Sequence, residues 1–178
     1  KYRGRKLSSP KGKETRPTLE KTREIIFNTI SSRYSLDHFV AVDLFAGSGA
    51  MGFEALSRGA KSVIFVDISK SNCRLIQRNI DKLGVGNDCR IFNADAIKWL
   101  EVNKWGEDPK MFFLDPPYQT KLGQQVFDLL GNTKYQINDS LLVLETDKDH
   151  ALSFTDIFKI FRQKTVGKTR LDFFNITN

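Results

Sequence analysis

The chain has 178 residues, of which 40% are hydrophobic and 28% charged, with a formal net charge of +7. That is the size and balance of one globular domain, with at most an appendage. It excludes a transmembrane helix, because no apolar run approaches the roughly 18 residues that span a bilayer, and Lys1-Tyr2-Arg3-Gly4-Arg5-Lys6 has no apolar stretch behind it to make a secretory signal.

Residues 1–23 hold nine Lys/Arg (Lys1, Arg3, Arg5, Lys6, Lys11, Lys13, Arg16, Lys21 and Arg23) against Glu14 and Glu20, which accounts for the whole net charge. The remaining residues are neutral overall. A basic arm or short hairpin over 1–18, punctuated by Gly4, Pro10, Gly12 and Pro17, is therefore expected to dock on a polyanion. Thr18 is placed to cap the helix that follows, in which Leu19, Ile25, Ile26, Phe27 and Ile30 follow a helical period. The main domain is expected to run from 19 to 178.

Phe39-Val40-Ala41-Val42 predicts a buried strand ending at Asp43, and Gly47-Ser48-Gly49 turns the chain into a helix over about 50–58. Residues 62–66 predict a second strand, ending at Asp67. A helix over 69–83 stops at Gly84. Arg90-Ile91-Phe92 leads to Asn93 and Asp95, and a short helix carries Ile97 and Leu100. Met111-Phe112-Phe113-Leu114 is a strand ending at Asp115. Residues 121–131 read as a helix and 141–145 as a strand, and 157–161 with 170–176 read as an antiparallel closing pair with Gly167 in the turn.

Strands alternating with helices predict an α/β three-layer sandwich of the Rossmann-like kind, mostly parallel, with a C-terminal antiparallel strand. Such sheets bind ligands at the carboxyl ends of their strands. Asp43, Asp67, Asp95 and Asp115 all fall at or near those ends. Cys73 and Cys89 are too few for a disulfide framework and read as reduced thiols, and His38 and His150 are isolated, so no metal is expected. The chain starts at Lys1 rather than Met, which leaves room for native residues ahead of it.

Gly47, Gly49 and Gly52 match GxGxxG between a strand and a helix, where glycines let the backbone turn sharply and approach a ligand. A carboxylate at Asp43 is unfavourable beside a pyrophosphate but favourable beside a cation. S-adenosylmethionine, with its sulfonium and amino group, meets that requirement. The expected cofactor set is Asp43, Phe45, Ala46, Gly47, Ser48, Gly49, Asp67, Ile68, Asp95 and Ala96, with Asp67 toward the ribose hydroxyls, Asp95 toward the adenine amine and the Ala96 backbone toward the ring. Asp43-Leu44-Phe45-Ala46-Gly47-Ser48-Gly49 resembles the first motif of class I methyltransferases.

Asp115-Pro116-Pro117-Tyr118 follows the apolar strand 111–114. Two prolines hold the backbone rigid past the sheet edge. An exocyclic base amine is a poor nucleophile because its lone pair is delocalised into the ring. The Asp115 carboxylate and the Pro116 carbonyl can accept its two hydrogens and favour a tetrahedral nitrogen, while Tyr118 stacks on the base. The tetrapeptide resembles that of amino methyltransferases acting on adenine, guanine, cytosine or glutamine amide nitrogen.

Tyr2-Arg3-Gly4-Arg5-Lys6-Leu7, Arg16-Pro17-Thr18, Arg23-Glu24-Ile25-Ile26-Phe27-Asn28 and the stretch from Asp43 to Ala60 resemble the RsmD-type family of bacterial 16S ribosomal RNA guanine-N2 methyltransferases. The resemblance covers nearly the whole chain and weakens after about residue 120. It implies methylation of a guanine N2 in 16S rRNA, of the guanine-966 type, on RNA or on the small ribosomal subunit, by a cytoplasmic protein. It also implies that Arg16-Pro17-Thr18 closes over the methionine end of the cofactor. From their own chemistry, Arg3, Arg5, Lys6, Lys11 and Lys13 suit RNA phosphates, Arg16 suits RNA or the cofactor carboxylate, and Lys121 suits the pocket rim. Glu20 and Asp67 depart from the family's usual Asp and Glu but keep the charge. A monomer is expected. The competing readings are a DNA adenine-N6 methyltransferase, a non-catalytic RNA-binding module and a protein glutamine methyltransferase. The 65 residues between Gly49 and Asp115 leave little room for the recognition domain the first usually needs.

Overall fold

Strand and helix alternate from residue 17 to residue 147, and two further strands close the chain. The computed structural model describes residues 17–103, 108–117, 120–132, 137, 139–150 and 152–177. The strands are β1 Val40–Asp43, β2 Ser62–Asp67, β3 Cys89–Asn93, β4 Lys110–Leu114, β5 Ser140–Asp147, β6 Phe158–Val166 and β7 Thr169–Ile176. The helices are α1 Pro17–Ser31, α2 Ala50–Ser57, α3 Lys70–Leu83, α4 Ala96–Val102 and α5 Leu122–Leu130. The strands form one sheet in the order β3-β2-β1-β4-β5-β7-β6. β1 to β5 pair in parallel, and β7 inserts antiparallel between β5 and β6. This is the expected class I methyltransferase architecture. The order reverses between β1 and β4, and such a switch point is where open α/β sheets bind ligands.

Apolar runs, rather than alternating ones, mark the central strands because both faces are covered. Ala41, Val63, Phe65, Met111, Phe113 and Val143 pack toward α1, α2 and α3, alongside Phe27, Ile30, Phe53 and Ile76. Their neighbours Val42, Val66, Phe112, Leu114, Leu142 and Leu144 pack toward α4 and α5, alongside Trp99, Leu100, Val126 and Phe127. Each fully buried side chain of this size contributes about 1.5–3 kcal/mol.

Two segments that carry the family resemblance turn out to face each other. Arg58 on α2 bonds to Glu54 at 2.6 Å and to the Asn28 side chain on α1 at 3.0 Å, and lies over the Phe27 ring at 5.4 Å. Arg23 on α1 reaches Glu54 at 3.8 Å. The pairing orients α1 across the start of the sheet and adds little stability at this exposure.

Two expectations change. α1 begins at Pro17, so Thr18 lies in the first turn rather than ahead of it; proline suits the first helical position, where its missing N–H costs nothing. β3 ends at Asn93, two residues before Asp95, as the sequence implies. β6 runs on to Val166, well past the apolar run, because a polar edge strand follows its partner's ladder rather than a core. Gly167, at φ 62°, makes the expected turn. Among the described residues no helix is long and apolar enough to cross a membrane, and Cys73 and Cys89 are free thiols. Arg3, Arg5, Lys6, Lys11, Lys13 and Arg16, and Tyr118 of the tetrapeptide, lie outside the described residues.

Candidate active site

The turn from β1 into α2 needs its glycines for different reasons. Gly47 and Gly49 have φ of 52° and 78°, a region that costs other residues strain. Gly52 has an ordinary φ, but a Cβ there would lie 2.3 Å from Phe65 and 2.7 Å from Val63. It lets α2 sit close on β2. Above Gly47 the space is open, since an added Cβ would meet only the Phe45 carbonyl at 3.9 Å. Ala46 is buried, and its N–H is bonded to Val66 at 3.1 Å. Ser48 is half-buried in the turn itself.

The register puts four acids on one face of the sheet. Asp43 pairs with Phe65 and Phe113, and Leu114 with Leu144. Side chains alternate along a strand, so Asp67, Asp43, Asp115 and Glu145 all project from the face that carries α1 to α3, at the carboxyl ends. The first two are already bonded. Asp43 is 4% exposed and accepts from the Gly52 N–H at 3.0 Å, in the first turn of α2. Through this bond Asp43 anchors the glycine loop to the start of α2. Burial pushes its pKa up to about 7; the Gly52 bond opposes that rise and the charges of Asp115 and Asp67 add to it. Asp67 accepts from Gly47 N–H and Ser69 N–H, each at 2.7 Å, and from the Asn72 amide, 3.2 Å from each oxygen. It holds the glycine loop to the start of α3, so ribose hydroxyls would share it with these donors.

Asp115 and Glu145 differ. Neither has a hydrogen-bond partner among the described residues. Burial pushes Asp115 up to about 6, although the residue keeps open surface, where water screens it more than Asp43. Glu145 is pushed up to about 7, by burial first and then by the charge of Asp115.

Glu145 lines, and Asp115 adjoins through Pro116, a cavity of about 450 Å³. Its walls are Pro116, Pro117, Thr120, Gly123, Glu145 and Thr146, and it is closed by Asp147, Asp149, His150 and Leu152. The Thr120 hydroxyl donates to the Pro117 carbonyl at 2.8 Å, whereas the Pro116 carbonyl has no donor among the described residues. A Cβ on Gly123 would come within 3.4 Å of Pro116, so α5 packs directly behind the proline turn. Lys121 is exposed and follows Thr120 of the cavity wall, immediately before α5. On the far side, Arg170 of β7 donates to the His150 and Lys148 carbonyls at 2.7 and 3.3 Å. Its Nε lies 2.8 Å from Asp172, which is 3% exposed and also accepts from Gln163. β7 thus braces the cavity wall.

The other expected cofactor residues spread along the β1–β3 side. Ile68, next to Asp67, is 73% exposed, an apolar side chain left in the open at a strand end. Asp95 caps α4 by accepting from Lys98 N–H at 3.0 Å, and Ala96 opens that helix. Phe45 packs against the α4–α5 core. Among the described residues no His/Cys/Asp/Glu group could hold a metal. The set fits a cationic adenosine ligand: converging acids, an open backbone turn at Gly47 and an exposed apolar side chain at Ile68.

Glu145, Asn72 and Arg170 escape the sequence reading. Only Glu145 had a signal, since it follows Leu141–Leu144 just as Asp115 follows Met111–Leu114.

Residues 1–175 match the model of a family described as "Conserved hypothetical protein 95". "Ribosomal RNA small subunit methyltransferase D" of Haemophilus influenzae is 30% identical, the match covering 93% of this chain and 86% of that protein. The chain belongs to the ribosomal RNA small subunit methyltransferase D family. YlbH of Bacillus subtilis is 34% identical over 94% of this chain and 91% of its own length. The solved structure of yhhF from Escherichia coli superposes with a TM-score of 0.85 at 26% identity, covering 98% of this chain and 93% of that one. Within this family fold, the anchored glycine loop and the cavity behind Asp115 are neighbours across the switch point.

Proposed function

We propose that the protein methylates the exocyclic N2 amine of a guanine in 16S ribosomal RNA, of the guanine-966 type, with S-adenosylmethionine as methyl donor. It acts as a cytoplasmic monomer on the RNA or on the small ribosomal subunit. The observation that carries this reading is the pair of acceptors at the end of β4. The Asp115 carboxylate and the Pro116 carbonyl are adjacent and adjoin a cavity, and neither has a donor among the described residues. An amine with two hydrogens supplies what they lack.

When bound, S-adenosylmethionine supplies an electrophilic methyl group on a sulfonium. Gly47, Asp67 and Ile68 would line its adenosine side, and the charges of Asp43 and Asp115 complement its cationic end. Arg16 and Thr18 would cover its methionine end. Asp115 and Pro116 accept the two amine hydrogens, draw the nitrogen toward a tetrahedral shape and point its lone pair at the methyl. Holding the reacting atoms in line supplies much of the acceleration. The surplus amine proton leaves to Asp115 or to water. The rigid Pro116-Pro117 turn and α5 keep the acceptors in place, and Tyr118 stacks on a base that has left its stack. Arg3, Arg5, Lys6, Lys11, Lys13 and Lys121 contact RNA phosphates. The relatives named for ribosomal RNA support the substrate class.

The test is nucleoside mass spectrometry of 16S RNA from a strain lacking the gene, before and after treatment with purified protein. The expected result is N2-methylguanosine missing from the deletion strain and restored by the protein. Restoration of N6-methyladenosine, or of nothing, overturns the reading.

A further inference from the structure

Glu145 has no part in the amine chemistry described above, yet it occupies the register position beside Asp115. Leu114 pairs with Leu144 in parallel, so the next residues of the two strands stand side by side and point to the same face. Glu145 borders the same cavity as Pro116. It has no hydrogen-bond partner among the described residues. Burial and the charge of Asp115 push its pKa up to about 7. A second group in that wall is also unmet: Thr146 is 5% exposed, and its buried hydroxyl oxygen has no partner among the described residues.

Two neighbouring acceptors suit a ligand with two neighbouring donors. Along its Watson–Crick edge guanine presents the N2 amine, then N1–H, then the O6 acceptor. Adenine and cytosine present their amine beside an unprotonated ring nitrogen, which is itself an acceptor. Placed against a carboxylate, that nitrogen leaves both groups unpaired and repelling.

We infer that Glu145 is the base-selecting residue, accepting the N1–H of a guanine whose N2 amine is held by Asp115 and Pro116. This rests on the guanine-N2 reading and explains how the site admits that base and rejects the other amino-bearing ones. Asp115 and Pro116 act on the amine, which three bases share; Glu145 reads the atom next to it, which only guanine presents as N–H. A site built around such a hydrogen bond discriminates strongly, by up to about 10⁴–10⁵, against an analogue that lacks the N–H.

The experiment uses 2-aminopurine, which keeps the 2-amine of guanine but has an unprotonated N1 and no O6. Small ribosomal subunits are reconstituted with 16S RNA carrying guanine or 2-aminopurine at the mapped target, and methyl incorporation is measured with wild type and Glu145→Gln. The glutamine is nearly isosteric, and its amide offers either an acceptor or a donor to N1. Circular dichroism and S-adenosylhomocysteine affinity report that fold and cofactor site are intact. Wild type is expected to prefer guanine by on the order of 10³-fold or more in kcat/KM. Glu145→Gln is expected to lose about 10-fold or more on guanine and to bring the two bases within about 10-fold of each other. Equal use of both bases by wild type, or an unchanged ratio in the variant, overturns the role of Glu145 while leaving guanine methylation standing. Failure of wild type to methylate the guanine subunit at all overturns both.

Discussion

The two halves of the sheet use their strand-end acids in opposite ways. On β1 and β2, Asp43 and Asp67 are bonded to protein donors: Gly52 N–H for one, Gly47 N–H, Ser69 N–H and the Asn72 amide for the other. At the end of β4 and on β5, Asp115 and Glu145 have none among the described residues, and Glu145 lines a cavity that Asp115 adjoins through Pro116. The same kind of residue at the same topological position therefore does two jobs. The bonded acids shape a glycine loop and lend it negative charge. The unbonded ones are open acceptors at the cavity end of the sheet, where a ligand's donors can reach them.

Breaking an unbonded acid is expected to have the largest effect on turnover. Asp115→Ala should lower methyl transfer by about 10³-fold, the scale of losing a preorganised group at the reacting atoms, while S-adenosylhomocysteine affinity changes little. A tritiated-methyl assay beside calorimetric titration checks this, and retained turnover rejects the catalytic assignment.

Breaking a bonded acid should do the reverse. Asp67→Ala leaves the part-buried Gly47 and Ser69 N–H groups without their acceptor. Cofactor affinity should fall by about 10-fold or more, and amide exchange at Gly47 and Ser69 should speed up. If exchange there is unchanged, the loop is held by something else.

Gly52→Ala tests the packing half of the same loop. Its Cβ would collide with Phe65 and Val63, both wholly buried, and overpacking of this kind costs about 1–3 kcal/mol. A lowered midpoint in urea with an unchanged slope is the expected result.

Titration separates the halves by charge. The folded carboxyls of Asp43, Asp115 and Glu145 are raised to between about 6 and 7. The folded protein therefore keeps protons that the unfolded chain has already released. Their contribution to stability is full below about pH 4 and is lost as pH rises through about 6 to 7. A cation placed among the ionised acids offsets that loss. Preference for S-adenosylmethionine over the sulfonium-free S-adenosylhomocysteine should accordingly grow as pH rises through about 7, measured as a ratio of dissociation constants. A flat ratio means the acids do not meet the sulfonium.

The smallest effect concerns the arm. Neutralising Arg3, Arg5 and Lys6 together should weaken RNA binding. It should also reduce the slope of log K against log salt by up to about 0.9 for each duplex phosphate that the arm no longer neutralises. An unchanged slope removes the arm from the RNA surface.

The strand-end pattern made the scaffold readable in advance. Apolar runs closed by an acid located β1, β2 and β4, and the glycines after Asp43 located the loop, because backbone sterics and burial on both faces are local constraints that leave local marks. Asp115-Pro116-Pro117 was readable for the same reason, since two prolines stop a ladder wherever they occur. Thr18 was misplaced by two positions, and β6 was cut short, where the deciding factors were a proline's fit to a helix start and the ladder of a partner strand.

Tertiary structure alone decided which acid is bonded and which is not. Asp43 and Asp115 look alike in the sequence, each closing an apolar strand. Their difference comes from what crosses above them: the first turn of α2, packed close because Gly52 has no side chain, covers Asp43, while the proline turn leaves Asp115 facing open space. Glu145 became a neighbour of Asp115 only through the parallel register of β4 and β5, across 30 residues of chain. Arg170 reached the cavity wall only because β7 runs antiparallel beside β5. Local chemistry in the sequence determined the elements and the kind of reaction they serve; long-range pairing decided which groups meet, because register is set by the packing of whole strands and not by any one residue.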